Sequence, residues 1–254
     1  MENINKDFLD SLDLLDKEME KHIPYVLLDL RELGSIPEYI YQLIDKNVNK
    51  NDINTIIDFG CGKGAVLIYL ATKFDFNGLG IDIMPEFIKS AIQYSNENSV
   101  DNRIDFKTDD ISNYISRNEK YDIVIYGYDS EILGNVYNSI SQLQNSISDT
   151  GYLILEIAFT PDEKERIEGL PTEKELREQL DKSDLKIIDN IFWDTNKIRV
   201  MNKQNNNHIN KRIQELKKNY PEQTRIFERY MSNQIEECKM IENEIICSTW
   251  IMKK

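Results

Sequence analysis

Apolar residues follow two different periodicities along the chain, and the change between them divides the sequence into two regions. In residues 1–48 they recur every three or four positions with charged residues between them, which predicts amphipathic helices. The first of these helices is carried by Phe8, Leu12, Leu15 and Met19. After a polar linker at 49–52, apolar runs of strand length alternate with helical patterns. We therefore expect a helical cap at residues 1–48 and a larger domain at 49–254.

Two further helices are predicted within this cap. Pro24 precedes a short helical segment at residues 25–33, and Gly34 breaks it. The sequence Ser35-Ile-Pro-Glu38 has the pattern of a capping box, in which Ser35 accepts from the amide of Glu38 while the Glu38 side chain reaches back. We expect this box to start the third helix.

The larger domain has the alternation of strands and helices that builds a parallel sheet. Strands are predicted over residues 55–58, 77–82, 104–107, 121–126, 151–157, 185–193 and 244–252. Helical patterns lie between them, over residues 63–74, 85–95, 132–147 and 173–180. Such alternation predicts an α/β fold with a mostly parallel sheet covered on both faces.

Residues 201–240 interrupt this alternation. Residues 202–207 are polar and are expected to form a loop. Residues 209–216 and 226–235 have helical patterns on either side of Pro221. We interpret this stretch as a helical insertion into the larger domain.

Charge and composition exclude several classes of partner. The chain of 254 residues has a formal net charge of −14, which disfavours long nucleic acids because their phosphates repel an acidic surface. No apolar run approaches the roughly 18 residues that a membrane-spanning helix needs. The acidic N-terminus lacks the basic start and apolar block of a signal peptide. We expect no nucleic-acid partner, no membrane partner and a cytoplasmic location.

The strongest chemical signal is the segment Asp58-Phe-Gly60-Cys61-Gly62-Lys-Gly64, between the first strand and the first helix of the larger domain. Alternate glycines let the backbone turn sharply and approach a ligand closely, because no Cβ intervenes. The loop follows the carboxyl end of a strand, where open α/β sheets bind ligands. Its GxGxG spacing differs from the GxGxxG of dinucleotide-binding loops, which favours a smaller, nucleoside-type ligand.

Acidic and apolar residues end the next two strands in the same region. Asp82 and Ile83 follow the second strand, where a carboxylate can accept both hydroxyl groups of a ribose. Asp109, Asp110 and Ile111 follow the third strand and are placed to meet the edge and the face of an adenine. The order of these segments matters more than any one of them, since each alone is a weak motif.

Together these segments resemble the class I S-adenosylmethionine-dependent methyltransferase family, from about residue 54 to residue 193 and again at 244–252. The resemblance implies a doubly wound, seven-stranded, mostly parallel sheet of order 3-2-1-4-5-7-6 with strand 7 antiparallel. It implies that the glycine loop binds the methionine part of S-adenosylmethionine, with Asp58 supporting the loop. It implies Asp82 on the ribose and Ile83 against the adenine.

For the adenine amino group the resemblance implies an acid at Asp109, with Asp110 or Ile111 beside it. The assignment between Asp109 and Asp110 is open by one position. The family usually joins its last two strands by a short turn, so the insertion at about 201–240 is atypical. With residues 1–48 we expect it to form a helical lid over the carboxyl ends of the strands.

Residues on the acceptor side are less defined by the motifs. Tyr126 ends the fourth strand and is expected to touch the cofactor. Tyr128, Glu131 and Phe159 are candidates for substrate binding, with packing as the alternative for the two aromatic residues and a first-turn helix acid as the alternative for Glu131. Tyr25, with the neighbouring His22, either closes over the site or packs within the lid.

A basic island lies within the acidic chain, at residues 202–229. It contains seven basic residues, Lys203, Lys211, Arg212, Lys217, Lys218, Arg225 and Arg229, against three glutamates. It is a candidate for an anionic acceptor, and a solvated helix face is the alternative.

We expect an enzyme that moves the methyl group of S-adenosylmethionine to a nitrogen or oxygen of a small-molecule acceptor by in-line displacement. Holding two reactants in line contributes up to about 7–11 kcal/mol. We identify no catalytic base, and the two histidines, three cysteines and the lone acid Glu156 after the fifth strand favour no metal. The oligomeric state is open. Alternatives are an RNA or protein methyltransferase, a nicotinamide-dependent oxidoreductase and a non-catalytic protein that binds S-adenosylmethionine.

Overall fold

The computed structural model describes residues 17–254, which fall into two compact units. The sheet unit contains Arg31–Phe192 and Cys247–Lys254, and the helical unit contains residues 17–30 and Trp193–Ile246. Most of the predicted first helix, which carries Phe8, Leu12 and Leu15, lies outside the described residues.

Seven strands of the described chain form one sheet in the order β3-β2-β1-β4-β5-β7-β6. They are β1 (Thr55–Phe59), β2 (Asn77–Asp82), β3 (Ile104–Thr108), β4 (Tyr121–Gly127), β5 (Ile147–Phe159), β6 (Lys186–Phe192) and β7 (Ile246–Lys253). Strands β1 to β5 pair in parallel, whereas β6 and β7 are antiparallel. The predicted sheet order and the orientation of the last strand are confirmed.

The strand register brings the carboxyl ends of β1, β2, β4 and β5 to one edge of the sheet. Phe59 pairs with Ile81 on one side and with Tyr126 on the other, and Gly127 pairs with Glu156. The central strands are almost wholly buried apolar residues, which is typical of a parallel sheet covered on both faces. All segments that carry the chemical signals therefore end at the same edge.

Helices cover the sheet within this unit. They are α3 (Pro37–Asn47), α4 (Ala65–Ala71), α5 (Pro85–Glu97), α6 (Ile111–Ile115), α7 (Ser130–Leu133), α8 (Val136–Leu143) and α9 (Glu173–Asp181). The single helix predicted over 132–147 is wrong, because Gly134 takes φ +77° and separates α7 from α8. Residues after Ser146 then enter β5.

The predicted capping box at Ser35 and Glu38 is also wrong. Helix α3 begins at Pro37 with Ile36 as its N-cap residue, and no side chain caps it. Proline suits this first helical position because it has no N–H that would need a partner. The Ser35 hydroxyl is instead directed to the carboxylate of Glu156, far away in the sequence.

The helical unit, taken by itself, contains α1 (Lys17–Glu20), α2 (Ile23–Val26), α10 (Thr195–Asn219) and α11 (Thr224–Asn243). The loop predicted at 202–207 is wrong, because α10 runs through it without a break. Asn202 donates to Glu242 at 2.9 Å, and Asn206 donates to the sulfur of Cys238 at 3.4 Å. Contacts between the two long helices thus outweigh the poor helix propensity of asparagine. No helix in residues 17–254 is both long and apolar enough to cross a membrane.

Candidate functional site

The glycine loop between β1 and α4 has a backbone that only glycine adopts readily. Gly60, Gly62 and Gly64 have φ values of +79°, +52° and +76°. At Gly64 an added Cβ would also lie 2.5 Å from a ring carbon of Phe106, so this turn is closed by packing as well as by conformation. The strand ends at Phe59 and the helix starts at Ala65, with the loop between them.

The amide groups of this loop are turned toward acceptors inside the protein. Gly60 and Cys61 both donate to the carbonyl of Ile81, at 2.8 and 3.0 Å, and Gly64 donates to the carbonyl of Cys61 at 2.8 Å. Gly62 donates to Asp82 Oδ2 at 2.8 Å. A phosphate-binding loop instead directs its N–H groups at the anion. These four donors are therefore not available to a phosphate, which agrees with the GxGxG spacing.

Three buried carboxyl groups lie at this edge of the sheet. Burial, followed by the negative charges of Glu156 and Asp82, raises the pKa of Asp58 to about 8. Burial raises the pKa of Glu156 to about 7, against hydrogen bonds from Ser35, Ile36 and Thr249 that lower it. Burial also raises the pKa of Asp82, opposed by the amides of Met84 and Gly62. A positively charged ligand bound beside such acids would stabilise their charged form and lower their pKa values.

Asp82 is engaged with the protein through both carboxylate oxygens. Oδ2 accepts from Gly62, and Oδ1 accepts from Met84 N at 2.9 Å. A carboxylate has about four acceptor positions, so two remain for a ligand. The residue thus fixes the glycine loop as well as standing where a ribose acid is predicted. Asp82 is not the cap of the helix that follows, because the N-cap residue of α5 is Met84.

The two acids after β3 have different surroundings. Asp110 is the N-cap residue of α6, and its Oδ1 accepts from Ser112 N at 2.8 Å and Asn113 N at 3.3 Å. Asp109 is half-buried, its backbone N–H donates to Asp82 O at 3.1 Å, and its carboxylate pairs with Arg117 at 2.5 Å. Asp109 therefore lies beside the end of β2, whereas Asp110 has a structural role in the helix.

Two apolar residues stand near these acids. Ile111 Cδ1 would lie 3.8 Å from a Cβ placed on Gly60, so its side chain covers the start of the glycine loop. Ile83 follows Asp82 and is half-buried. Acids that can accept hydrogen bonds and apolar side chains that can pack on a base are thus both present where an adenosine is predicted.

Comparison with known proteins decides the family. A family model described as a methyltransferase domain matches residues 50–218, more than half of the chain. The chain belongs to this methyltransferase domain family. The predicted class I methyltransferase fold and the predicted enzyme class agree with this match.

Solved structures share the fold of this methyltransferase at low sequence identity. A methyltransferase from Geobacter sulfurreducens is 15% identical with a TM-score of 0.75, covering 99% of each chain. One from Thiobacillus denitrificans is 17% identical with a TM-score of 0.74, covering 91% of this chain and 96% of its own. YjhP from E. coli is 15% identical with a TM-score of 0.75, covering 92% and 98%.

The first two of these structures are complexes with S-adenosylhomocysteine. S-adenosylhomocysteine is what remains of S-adenosylmethionine once the methyl group has left. Together with membership of the family, these complexes support S-adenosylmethionine as the cofactor.

Cys61 packs inside the methyltransferase rather than acting as a nucleophile. It is buried, and its sulfur would lie 2.7 Å from a Cβ placed on Gly80, so the thiol fills the gap left by that glycine. Burial, with the charges of Asp82 and Asp58, raises the pKa of the thiol well above its usual value. A thiol that stays protonated is a poor nucleophile. The neighbouring Lys63 is also buried, and its Nζ lies 5.7 Å from the centre of the Phe87 ring.

The end of β4 carries the predicted acceptor-side residues. Tyr126 is buried and donates to the carbonyl of Asp129 at 3.2 Å. Tyr128 is half-buried, and its amide donates to Glu156 O at 2.8 Å. Burial raises the pKa of the Tyr128 phenol to about 12. Glu131 is exposed in the first turn of α7. These residues lie together, and their contact with cofactor or substrate stays a prediction.

Two other predicted residues have well-defined packing partners. Phe159 is buried at the end of β5, with its ring centre 6.4 Å from that of Phe192. Tyr25 belongs to the helical unit, where its hydroxyl donates to Glu215 at 2.5 Å and its ring faces Arg212. His22 packs in the same unit between Tyr220 and Phe227 and bonds Gln223 at 2.8 Å. The packing alternatives weighed for these residues thus have direct support.

Three residues at this edge of the sheet were not predicted as part of the site: Gly127, Ser35 and Glu156. The sequence indicated Glu156 only as a single acid, which does not suffice to bind a metal. Asp58 pairs with Ile125, and the pair Gly127 and Glu156 lies two residues further along β4 and β5. Because side chains alternate between the two faces of a sheet, Asp58, Gly127 and Glu156 are on the same face. A Cβ on Gly127 would meet nothing within 4 Å, so there is open space beside the two acids. The available signal was an acid and a glycine at the ends of otherwise apolar strands.

Proposed function

We propose that this methyltransferase transfers the methyl group of S-adenosylmethionine to a nitrogen or oxygen of a small-molecule acceptor. The cofactor is held at the edge formed by the glycine loop, Asp82 and Asp109. Bound there, S-adenosylmethionine supplies an electrophilic methyl group on a positively charged sulfur. The protein aligns the two reactants and excludes water.

One observation carries the proposal: the loop that turns its N–H groups inward lies beside buried acids. A phosphate would need those donors, whereas a sulfonium with an ammonium group needs none of them and stabilises the charged form of a neighbouring acid. The residues therefore fit a cationic adenosyl donor better than a dinucleotide. This argues for the methyl donor over the nicotinamide alternative.

The other residues are assigned by their position around this loop. Asp82 uses its two remaining acceptor positions for the ribose, and Ile83 and Ile111 contact the adenine faces. Asp109, rather than the helix cap Asp110, accepts from the adenine amino group. Gly60, Cys61, Gly62 and Gly64 shape the loop that contacts the methionine part. Asp58 supports this loop, and Tyr126 packs at the neighbouring strand end.

A small acceptor is supported by the electrostatics of the chain. Part of the predicted basic island is neutralised within the helical unit. Arg212 pairs with Asp29 at 2.6 Å, and Lys217 pairs with Glu228 at 2.6 Å. A neutralised surface on a chain of net charge −14 offers little attraction to RNA. Tyr128 and Glu131 are the candidates for contacting the acceptor. The lid function of the helical segments and the cytoplasmic location stay predictions.

Labelled methyl transfer tests the function directly. The protein is incubated with methyl-labelled S-adenosylmethionine and a cell extract that has been split by ultrafiltration into metabolites and macromolecules. We expect labelled product in the metabolite fraction only. Label in protein or RNA would make it a macromolecule methyltransferase, and no label in either would favour a non-catalytic binding protein.

Calorimetry with S-adenosylhomocysteine and with NADH tests the cofactor separately. We expect heat of binding only with S-adenosylhomocysteine. Binding of NADH alone would contradict the assignment of the glycine loop.

A further inference from the structure

The segment 31–36 crosses the glycine loop and is fastened at both ends within the sheet unit. We call residues 31–36 the strap. At its start, the guanidinium of Arg31 lies 4.7 Å from the centre of the Tyr94 ring and 3.6 Å from Glu97, both on α5. At its end, Ser35 and Ile36 bond the carboxylate of Glu156 on β5. Helix α5 packs on β2 and β3, which lie on one side of β1 in the sheet, whereas β5 lies on the other side.

The middle of the strap rests on the glycine loop itself. Leu33 Cδ1 lies 3.3 Å from where a Cβ on Gly62 would be, so the side chain of Leu33 is in contact with this glycine. Gly34 follows with φ +113°, a conformation that side chains disfavour. The chain then turns into Ile36, which is fully buried, and α3 begins.

Glu156 is the charged group at the far fastening point. It is 5% exposed, and its Oε1 accepts from Ile36 N at 3.4 Å and from Thr249 Oγ1 at 3.3 Å. The side chain of Ser35 provides a further hydrogen bond. A buried carboxyl group costs stability unless such donors satisfy it, so its presence here needs a reason beyond packing.

We propose that Glu156 is a positioning residue that ties the strap across the glycine loop and so retains the cofactor in its site. The inference rests on the proposed function, because it takes the glycine loop as the cofactor site. Glu156 acts through Ser35 and Ile36 and not by contact with the reacting atoms. Releasing the tie frees the strap from Gly62 and opens the methionine side of the site.

Four variants separate the tie from other roles of the carboxylate. Glu156→Ala removes the tie, and Glu156→Gln keeps an oxygen that accepts from Ile36 N while losing the charge. Ser35→Ala removes one hydrogen bond between the strap and Glu156 and leaves every charge in place. Thr249→Val is the matched control, because it removes a hydrogen bond of Glu156 that does not reach the strap.

Two measurements report on these variants. The first is the rate of trypsin cleavage after Arg31, followed by mass spectrometry with and without S-adenosylhomocysteine. The second is the rate at which S-adenosylhomocysteine dissociates, measured by stopped-flow displacement. Unfolding curves in urea show whether each variant is folded. If Glu156→Ala does not fold, Ser35→Ala and Glu156→Gln still carry the test.

For Glu156→Ala we expect cleavage and dissociation about tenfold faster than in the unmodified protein, as for the loss of one or two buried hydrogen bonds. Ser35→Ala changes both rates in the same direction by less. A double variant that combines Glu156→Ala with Ser35→Ala is no faster than Glu156→Ala alone, because both substitutions break the same interaction. Glu156→Gln and Thr249→Val stay within about threefold of the unmodified protein.

Two results would contradict the proposal. The first is an unchanged rate of cleavage after Arg31 in Glu156→Ala and Ser35→Ala. The second is cleavage and dissociation as fast in Glu156→Gln as in Glu156→Ala, which would assign the effect to charge alone. Failure of the proposed function looks different. In that case the unmodified protein does not bind S-adenosylhomocysteine, yet cleavage after Arg31 still responds to Glu156→Ala and Ser35→Ala.

Discussion

The two sides of the candidate site are built in different ways. On the glycine-loop side, the hydrogen bonds that hold the backbone join residues at most 21 positions apart, as Gly60 to Ile81 and Gly62 to Asp82. On the strap side, Glu156 is joined to Ile36 across 120 residues and to Thr249 across 93. The first side depends on backbone conformation and can be recognised as a motif. The second depends on side chains that only the fold brings together.

This difference has consequences for stability as well as for recognition. The loop side owes its shape to glycines with positive φ, whose conformation does not depend on pH. On the strap side, Glu156 is buried with a raised pKa. Asp58 also has a raised pKa and lies on the same face of the sheet, with β4 between the two acids. Changes in backbone sterics should therefore affect the first side, and changes in protonation the second.

The largest effect should come from breaking the loop backbone. Gly64→Ala places a Cβ at φ +76° and 2.5 Å from Phe106. The left-handed conformation and the overlap together should lower the free energy of unfolding by about 2–5 kcal/mol. Denaturation in urea measures this loss.

The matched control is Gly127→Ala, the same substitution at a glycine whose added Cβ would meet nothing within 4 Å. It should change the free energy of unfolding by less than about 1 kcal/mol. Equal losses in the two variants would show that the loop conformation has no special cost.

The next effect concerns pH and the strap side. The pKa of Asp58 is about 8 and that of Glu156 about 7, above their ordinary values of 3.8 and 4.5. The folded chain therefore holds these protons more tightly than the unfolded chain. This stabilisation is complete below the unfolded pKa values and is lost as pH rises through about 7 and 8. Each proton contributes a slope of up to about 1.4 kcal/mol per pH unit.

Urea unfolding from pH 5 to pH 9 should thus show stability falling as pH rises, and Asp58→Asn should flatten the curve. Asp105→Asn, at an exposed acid on β3, is the control and should keep the slope of the unmodified protein. A slope that Asp58→Asn leaves intact would mean that Asp58 does not titrate in this range.

A smaller effect is expected for cofactor binding at Asp82, which belongs to the loop side. Asp82→Asn turns one acceptor oxygen into a donor that faces Gly62 N or Met84 N. Loss of hydrogen bonds to a charged acceptor should weaken binding of S-adenosylhomocysteine about 10- to 100-fold. Calorimetry measures the affinity, with Asp105→Asn as the control. Affinity unchanged in Asp82→Asn would contradict the ribose assignment.

The comparison also explains what the sequence could and could not reveal. The sheet order was predictable because the resemblance rests on motifs at strand ends, and each motif lies within a few residues of chain. The loop at Gly60–Gly64 and the acid at Asp82 were predictable for the same reason. Ser35 shows the limit. Its spacing to Glu38 predicts a local cap, but a buried carboxylate on β5 competes for the same hydroxyl.

Residues 202–207 show the same limit in the helical unit. Their asparagines favour a loop when judged locally, but their amide groups find partners on α11, such as Glu242. Local propensity is a weak preference of less than about 1 kcal/mol per residue, and tertiary contacts exceed it. Local patterns therefore predicted the elements well and the side-chain network poorly.

The smallest effect should resolve which acid after β3 serves the adenine. Asp110→Ala removes the N-cap of α6 and should lower the free energy of unfolding by about 1 kcal/mol without changing the affinity for S-adenosylhomocysteine. Asp109→Asn should do the reverse, because Asp109 pairs with the partly exposed Arg117, and such pairs contribute little to stability. Asp109→Asn should weaken binding of S-adenosylhomocysteine several-fold. It should weaken binding of an analogue that lacks the adenine amino group by less. If Asp110→Ala weakens binding and Asp109→Asn does not, the adenine contact belongs one position further along the chain. The short-range side of the site would then differ from its motif by one residue.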